Sequence, residues 1–152
     1  MHLLAIWIVF LSMSEEQAQQ FLYQMQMLES IAANLDQKQE AIVSYLREAM
    51  ASIDSIKNIS QGKEIESLVP MGLGTYVKAN ILGDSKVLID IGSGIVVEKD
   101  HASAINHLES RIKELQVALN ETSAQKHETM MRLEQLKQEM NNLMQSSMPP
   151  KQ

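Results

Sequence analysis

The sequence contains no cysteine, so disulfide bonds, thiolate metal sites and cysteine nucleophiles are excluded. Aromatic residues make up only 4% of the 152 residues, although large aromatic side chains dominate ordinary globular cores. No cluster of Lys and Arg occurs and the formal net charge is −6, which argues against nucleic acid as a partner. Hydrophobic residues, 45% of the chain, are mainly Leu, Ile, Val, Ala and 11 Met, a composition that favours long helices.

Glycine is also scarce, and it is concentrated in one place. Five of the six glycines lie in the segment 69–94, which contains Gly-x-Gly twice, at Gly72/Gly74 and at Gly92/Gly94. The long flanking stretches lack both glycine and proline, so they can form uninterrupted helices. The central question is whether the glycine-rich segment cradles a phosphate or turns the chain.

The flanking stretches follow a seven-residue repeat that predicts a coiled coil. In the first, the d positions are Phe21, Leu28, Leu35, Ile42, Ala49 and Ile56, and the a positions are Met25, Ala32, Gln39, Leu46 and Ile53. In the second, the a positions are Ile105, Ile112, Leu119, Lys126, Leu133 and Met140, and the d positions are Leu108, Leu115, Thr122, Thr129, Leu136 and Leu143.

Capping residues suggest the limits of both helices. Ser14, with Gln17 three residues later, predicts the start of an N-terminal coiled-coil helix over 14–61, and Gly62 its end. Asp100 is the expected N-cap of a C-terminal coiled-coil helix over 100–147, followed by a tail at 148–152 that contains two prolines. The short connector at 62–99 makes the helices antiparallel, with residue numbers at one level adding to about 160. Gln39 then lies level with Thr122, and Lys126 with Asn34 and Leu35.

The connector alternates with period two and is rich in β-branched residues, which predicts strands. GLGTYVKAN and GSGIVVEKD align without gaps, so we expect two hairpins, at 64–80 and 81–99, and Gly83-Asp84-Ser85 reads as a hairpin turn. Such a small sheet cannot bury its apolar face alone, and its open edges favour pairing with other chains. We therefore expect oligomerisation through residues of these strands, with the hairpins closing into a β-barrel. The expected contacts are Val77, Ala79, Ile81, Val87, Ile89 and Ile91.

The glycine pattern argues against a nucleotide-binding enzyme. Neither Gly-x-Gly copy has the third glycine of a dinucleotide fingerprint, and both precede a strand rather than a helix N-terminus. His101 and His107 are six residues apart, which does not suit a helical metal pair. We find no catalytic constellation, metal site or cofactor site, and we expect a protein that is not an enzyme.

Residues 1–13, MHLLAIWIVFLSM, form an apolar leader that is too short to span a membrane. It lacks the basic start and the cleavage site of a signal peptide. We expect translation to start at Met13, which would make the leader a start-site artefact. The alternatives are a cleaved or membrane-anchoring segment and a genuine apolar extension.

Methionines are concentrated toward the two ends of the chain. Met27, Met131, Met144 and Met148 fall outside the a and d positions, so packing between the helices does not explain them. Methionine is flexible and polarizable, and it recurs on surfaces that bind many partners. This pattern indicates a binding surface at the free ends of the helices.

The order helix, two hairpins, helix resembles an α-class prefoldin subunit of the archaeal type. The segments 68-LVPMGLGTYVKANI-81 and 90-DIGSGIVVEKD-100 carry the resemblance, which extends over about residues 14–144. It implies an α+β fold in which a long antiparallel coiled-coil hairpin is joined by two small β-hairpins. It also implies a hexamer of two α and four β subunits, with the hairpins forming a double β-barrel platform.

The resemblance further implies an ATP-independent cytoplasmic chaperone, without cofactor, that holds unfolded polypeptides and delivers them to a group II chaperonin. Its client contacts would correspond here to Phe21, Leu22, Met25, Met140, Leu143 and Met144; the residues themselves add Met27 and Met148. A structural coiled-coil adaptor that holds no client is the alternative. Neither nucleic acid nor membrane is an expected partner.

Overall fold

The computed structural model describes residues 2–59 and 62–146, except for the side chains of residue 6 and residues 8–14. In chain order the described residues form helix α1 (His2–Ile59), strands β1 (Ile65–Gly72), β2 (Thr75–Ile81), β3 (Val87–Asp90) and β4 (Val96–Lys99), and helix α2 (His101–Ser146). The expectation of two long helices joined by a short region of strands is confirmed.

The start of α1 differs from the sequence-based expectation, and the predicted tail cannot be compared with the structure. Helix α1 begins at His2, so the prediction that Ser14 caps it is wrong: Ser14 lies inside the helix. The apolar run before Ser14 contains no proline or glycine, so nothing in it stops the backbone hydrogen bonding of the helix from continuing. Residues 60–61 and 147–152, and therefore the predicted tail, lie outside the described residues.

The strands pair as two separate antiparallel hairpins, β1 with β2 and β3 with β4. In the first, Val69 pairs with Val77 and Ile65 with Ile81, with an irregularity between Pro70 and Gly72. In the second, Ile89 pairs with Val97. The two predicted hairpins are confirmed, with strand ends that differ by a few residues.

The two Gly-x-Gly copies are the turns of these hairpins. Backbone φ is 110°, 47° and 76° at Gly72, Leu73 and Gly74, and 111°, 54° and 73° across residues 92–94. Three successive residues with positive φ are accessible chiefly to glycine, which explains the glycine on either side of the central residue. The internal repeat in the sequence is thus a repeat of backbone conformation.

The segment Gly83-Asp84-Ser85 has a different role from the one predicted. It is a turn, in which the Ser85 N–H donates to the Leu82 carbonyl at 3.0 Å. However, the flanking strands β2 and β3 do not pair, so this turn connects the hairpins instead of closing one. Turn-forming residues indicate where the chain bends, and they do not by themselves determine which strands pair.

The contacts of the chain define two compact units. Unit 1 comprises Met1–Ala41 and Leu119–Gln152, and unit 2 comprises Ile42–Ala118. In unit 1 the buried side chains are Ala32, Thr122, Leu133 and Leu136, and in unit 2 they are Ile42, Ala49, Ile53, Ile56 and Ala104. Among the described residues, every buried side chain except Ala104 occupies an a or d position, which confirms the predicted heptads.

The antiparallel register of unit 1 is visible in two polar contacts. The Gln39 side-chain amide donates to Ser123 Oγ at 3.3 Å, and Lys126 forms an ion pair with Asp36. In both contacts the residue numbers add to 162, close to the predicted sum of 160. The predicted register is therefore confirmed to within about two residues, and Lys126 lies level with Asp36 rather than with Asn34 and Leu35.

Candidate functional site

The candidate site is a groove between α1 and α2 in unit 1, near the described end of α2. We call it the terminal groove. Its volume is about 330 Å³. The lining residues are Gln17, Gln20, Phe21, Gln24, Arg132, Leu136, Glu139 and Leu143.

The groove has an apolar floor because the heptad seam opens there. Leu136 is buried and Phe21 is half-buried, whereas Leu143, at the next d position of α2, is 43% exposed. Phe21 and Leu143 thus each have part of their surface available to another molecule. Covering such surface is favourable in proportion to the apolar area removed from water.

Glutamine side chains of α1 line the groove beside its apolar floor. Gln17, Gln20 and Gln24 each offer an amide that can both donate and accept hydrogen bonds. Arg132 and Glu139 add one charge of each sign, so the groove has no strong electrostatic preference. Such a lining can satisfy the backbone N–H and C=O groups of an extended chain while the floor contacts its apolar side chains.

The predicted client contacts other than Met148 lie on the helices of unit 1, but they differ in exposure. Met25 and Met140 occupy a positions and are half-buried. Leu22, Met27 and Met144 are about half exposed, at 49%, 49% and 52%. Met148 lies outside the described residues. The structure therefore brings Phe21 and Leu143 into the groove and leaves Leu22, Met27 and Met144 exposed on the helix surfaces.

Sequence reasoning missed several exposed apolar residues of unit 1. Tyr23 is 64% exposed, Ile31 43% and Met130 48%. Tyr23, Met27 and Ile31 follow one another at intervals of four and so share one side of α1. That spacing was available in the sequence, but it was obscured by the stronger seven-residue pattern of the seam.

In unit 2, the residues predicted to oligomerise the hairpins fall into two groups. Val77 and Ile91 are exposed, whereas Ala79, Ile81, Val87 and Ile89 are half-buried. Val87 and Ile89 line a cleft together with Ser55, Ile56 and Leu108 of the two helices. This side of the second hairpin is thus partly covered by its own chain.

The more exposed apolar residues of the hairpins lie elsewhere and are not among the predicted oligomerisation residues. Leu68 and Tyr76 are 58% and 61% exposed in the first hairpin, and Leu88 and Val96 are 65% and 55% exposed in the second. Strand alternation separates the residues into two faces. It does not indicate which face the helices of the same chain will cover, and so these residues could not be identified from periodicity.

Within residues 2–59 and 62–146, no group of three or more His, Asp or Glu side chains is placed to hold a metal ion. Across the same residues, neither helix has a stretch apolar and long enough to cross a membrane.

Comparison with known proteins identifies the family. The family model described as prefoldin subunit matches residues 24–146, which is most of the chain. The chain belongs to the prefoldin family. Prefoldin is a family of chaperones, so the chain is a chaperone-type subunit.

Individual relatives extend this assignment. The chain is 50% identical over 143 residues to the prefoldin subunit alpha of Nitrosopumilus maritimus, covering 91% of this chain and 99% of that one. It is 30% identical over 118 residues to the prefoldin subunit alpha of Pyrococcus horikoshii, covering 74% and 77%. The predicted resemblance to an α-class prefoldin subunit is confirmed.

Solved prefoldin structures share the fold. The prefoldin beta subunit from Thermococcus strain KS-1 matches with a TM-score of 0.58 at 20% identity, over 88% of this chain and 95% of that one. A filamentous prefoldin from Methanocaldococcus jannaschii matches with a TM-score of 0.53 at 21% identity, over 82% and 98%. The predicted α+β class, with long helices and two small hairpins, is confirmed.

Proposed function

We propose that this chain is a subunit of an ATP-independent holdase that captures unfolded polypeptides at the terminal groove and the apolar residues around it. The observation that carries the proposal is the partly open groove, with Phe21 and Leu143 available beside glutamine side chains. Exposed Leu22, Met27 and Met144 extend the apolar surface around it. Membership of a chaperone family supports the same conclusion.

The chemistry of this surface suits a partner without fixed structure. An unfolded chain presents scattered apolar side chains in no constant geometry, and flexible methionine side chains can adapt to them. Each contact is weak, because covering one methionine contributes about 1–2 kcal/mol. Several subunits acting on one client raise the overall affinity through effective concentration.

Assembly is the second part of the proposal. Two copies of this chain combine with four prefoldin beta subunits, and exposed apolar residues of the hairpins, among them Val77 and Ile91, become buried in a β-barrel platform. The exposed apolar surface supports this, because a pair of two-stranded hairpins cannot bury both faces alone. Transfer of the client to a group II chaperonin in the cytoplasm completes the proposed function.

The test combines assembly with client protection. The chain is co-expressed with a beta-type subunit, and the complex is sized by gel filtration with light scattering. A denatured client enzyme is then diluted from guanidinium chloride into buffer with the complex and without nucleotide. We expect a hexamer that suppresses aggregation in proportion to its concentration. A well-formed complex that leaves aggregation unchanged would instead support a structural adaptor.

A further inference from the structure

Helix α1 extends beyond the described end of its partner. The two polar contacts of unit 1 join residues whose numbers add to 162, so Ser146, the last residue of α2, lies level with Glu16. Helix α1 nevertheless begins at His2. No described residue of α2 therefore lies level with the first part of α1, which we call the apolar extension (residues 2–13).

The apolar extension presents large hydrophobic side chains to solvent. Leu3, Leu4 and Trp7 are 78%, 70% and 69% exposed, which makes them among the most exposed large apolar residues described in the chain. Leu3 and Trp7 are four residues apart and share one side of the helix. In sequence, the extension carries no Asp, Glu, Lys or Arg.

We propose that the apolar extension is a second client-binding surface, which holds short apolar segments of unfolded polypeptides beyond the terminal groove. The inference rests on the proposed function and on the alternative that residues 1–13 are a genuine apolar extension and not a start-site artefact. It goes further than the proposed function, because it assigns client contacts to a stretch outside the coiled-coil seam. A helix with exposed apolar side chains and no charge offers contacts without a fixed geometry, which suits clients of varied sequence.

The apolar extension of a second copy is a poor alternative partner for this surface. The extension is about 18 Å long and about 10 Å across, from the dimensions of an α-helix. Two such helices side by side would bury on the order of 400 Å² in total, well below the roughly 1,200 Å² of a stable specific interface. Weak contacts that act together on one client need no such area.

A membrane surface is also a poor alternative occupant. Interfacial helices combine an apolar face with Lys and Arg that attract anionic lipids. Here the first Lys or Arg in the sequence is Lys38, and only Ser14 separates the extension from Glu15 and Glu16. The carboxylates of Glu15 and Glu16 would be repelled by anionic lipid.

Trp7 allows a direct test, because it is the only tryptophan of the chain. The complete assembly with beta subunits is titrated with reduced, carboxymethylated ribonuclease A, an unfolded client that lacks tryptophan. The assembly that contains Trp7→Phe gives the background emission of the other subunits, which is subtracted. We expect the emission of Trp7 to shift to shorter wavelength on client binding, as its ring leaves water.

A matched control places the same reporter on the same helix in unit 2. In the double variant Trp7→Phe, Tyr45→Trp the tryptophan replaces a side chain that is 59% exposed, and we expect no shift with client. An equal shift there would overturn the proposal, because contact would not be specific to the extension. A shift that appears when the assembly is concentrated without client would also overturn the proposal, because it would indicate contact between copies. So would a shift with phosphatidylcholine–phosphatidylglycerol vesicles but not with client, because it would indicate a membrane surface.

A second variant separates this inference from the proposed function. Leu3→Ser, Leu4→Ser, Trp7→Ser in the full chain should leave the assembly intact and raise the concentration needed to halve client aggregation by about three- to tenfold. If the native assembly protects the client but this variant is equally active and Trp7 emission does not move, only the extension inference fails. If the native assembly does not protect the client, the proposed function itself fails.

Discussion

Asp100 shows how a single residue defines the start of α2. Its carboxylate accepts a hydrogen bond from the Ser103 backbone N–H at 2.7 Å, as an N-cap does. Hydrogen bonds from the side chain and the backbone of Ser103 lower the pKa of Asp100 from its ordinary value. Next to it, a ring nitrogen of His101 lies 2.7 Å from the Ser85 carbonyl oxygen and ties the turn between the hairpins to α2.

The lowered pKa leads to a pH-dependent prediction. A depressed folded-state pKa stabilises the fold above the unfolded pKa, and that stability is lost as the pH falls through the folded pKa. We expect Asp100→Ala to lower the thermal midpoint at neutral pH, and the difference from the native chain to shrink in acid below the ordinary carboxyl pKa. Thermal unfolding followed by circular dichroism across pH measures this.

The control for this prediction is Asp100→Asn, since Asn is an equally good N-cap but does not titrate. The thermal midpoint of Asp100→Asn should stay close to that of the native chain at neutral pH. In acid it should fall less than the native midpoint, because the Asn side chain does not become protonated. A difference between native chain and Asp100→Ala that is the same at every pH would contradict the account.

At the scale of elements, the seam of unit 1 contains a polar layer. Lys126 occupies an a position, where it forms an ion pair with Asp36, and Gln39 bonds Ser123 nearby. Thr122, at a d position, is completely buried. Polar residues at a positions commonly fix the register of a coiled coil at a cost in stability.

Replacing Lys126 therefore gives a prediction with a defined sign. Lys126→Leu should raise the free energy of unfolding by about 1 kcal/mol, because an apolar side chain continues the seam and the partly exposed Asp36 can return to water. Asp36→Ala should lower it by about 0.2–1 kcal/mol, as expected for a partly exposed ion pair. Urea unfolding of the three proteins provides the comparison.

Lys137→Leu is the matched control, because Lys137 is exposed and lies outside the a and d positions. It should give no comparable gain. If Lys126→Leu unfolds at the same or lower urea concentration than the native chain, the polar layer does not lower the free energy of unfolding.

Much of each element could be predicted from the sequence, because the signals were local or periodic. Seven-residue spacing predicted the buried seam, and the Gly-x-Gly repeat marked both turns. Ala104 is completely buried although it lies outside the a and d positions, since burial there depends on contacts that the repeat does not describe. The start of α1 was placed too late because a serine does not by itself stop a helix, and the residues before Ser14 include no proline or glycine.

The candidate site was predicted less completely than the fold. The sequence indicated apolar residues at the ends of the helices, but it did not show that Tyr23 and Met130 stay exposed, because exposure depends on how the helices pair. The same holds for Leu88 and Val96 in the second hairpin. Which side of an amphipathic element remains free depends on what its own chain covers.

For the molecule as a whole, the proposed assembly depends on the exposed faces of the hairpins. We predict that Val77→Asp and Leu88→Asp each shift the chain from the hexamer to unassembled species, since burying an unpaired charge costs several kcal/mol. Val77 and Leu88 are 49% and 65% exposed in the single chain, so helix content should change little. A charge at half-buried Ile89, also an expected oligomerisation residue, would in addition disturb the chain itself.

Gel filtration with beta subunits and circular dichroism of each variant test this prediction. Asn120→Asp adds the same charge at an exposed position on α2 and should leave the hexamer intact. If both hairpin variants elute with the native hexamer, the strands do not mediate assembly.

The central claim is that apolar residues at the ends of the helices hold unfolded clients. The most direct measurement is aggregation of a denatured client against chaperone concentration for the triple variant Met27→Gln, Met144→Gln, Met148→Gln, compared with Val43→Gln, Tyr45→Gln, Met50→Gln. The control residues are exposed apolar side chains of unit 2. We predict that the first variant needs about three- to tenfold more hexamer for half-maximal protection, while the control matches the native chain. Superimposable curves for all three intact hexamers would contradict the claim.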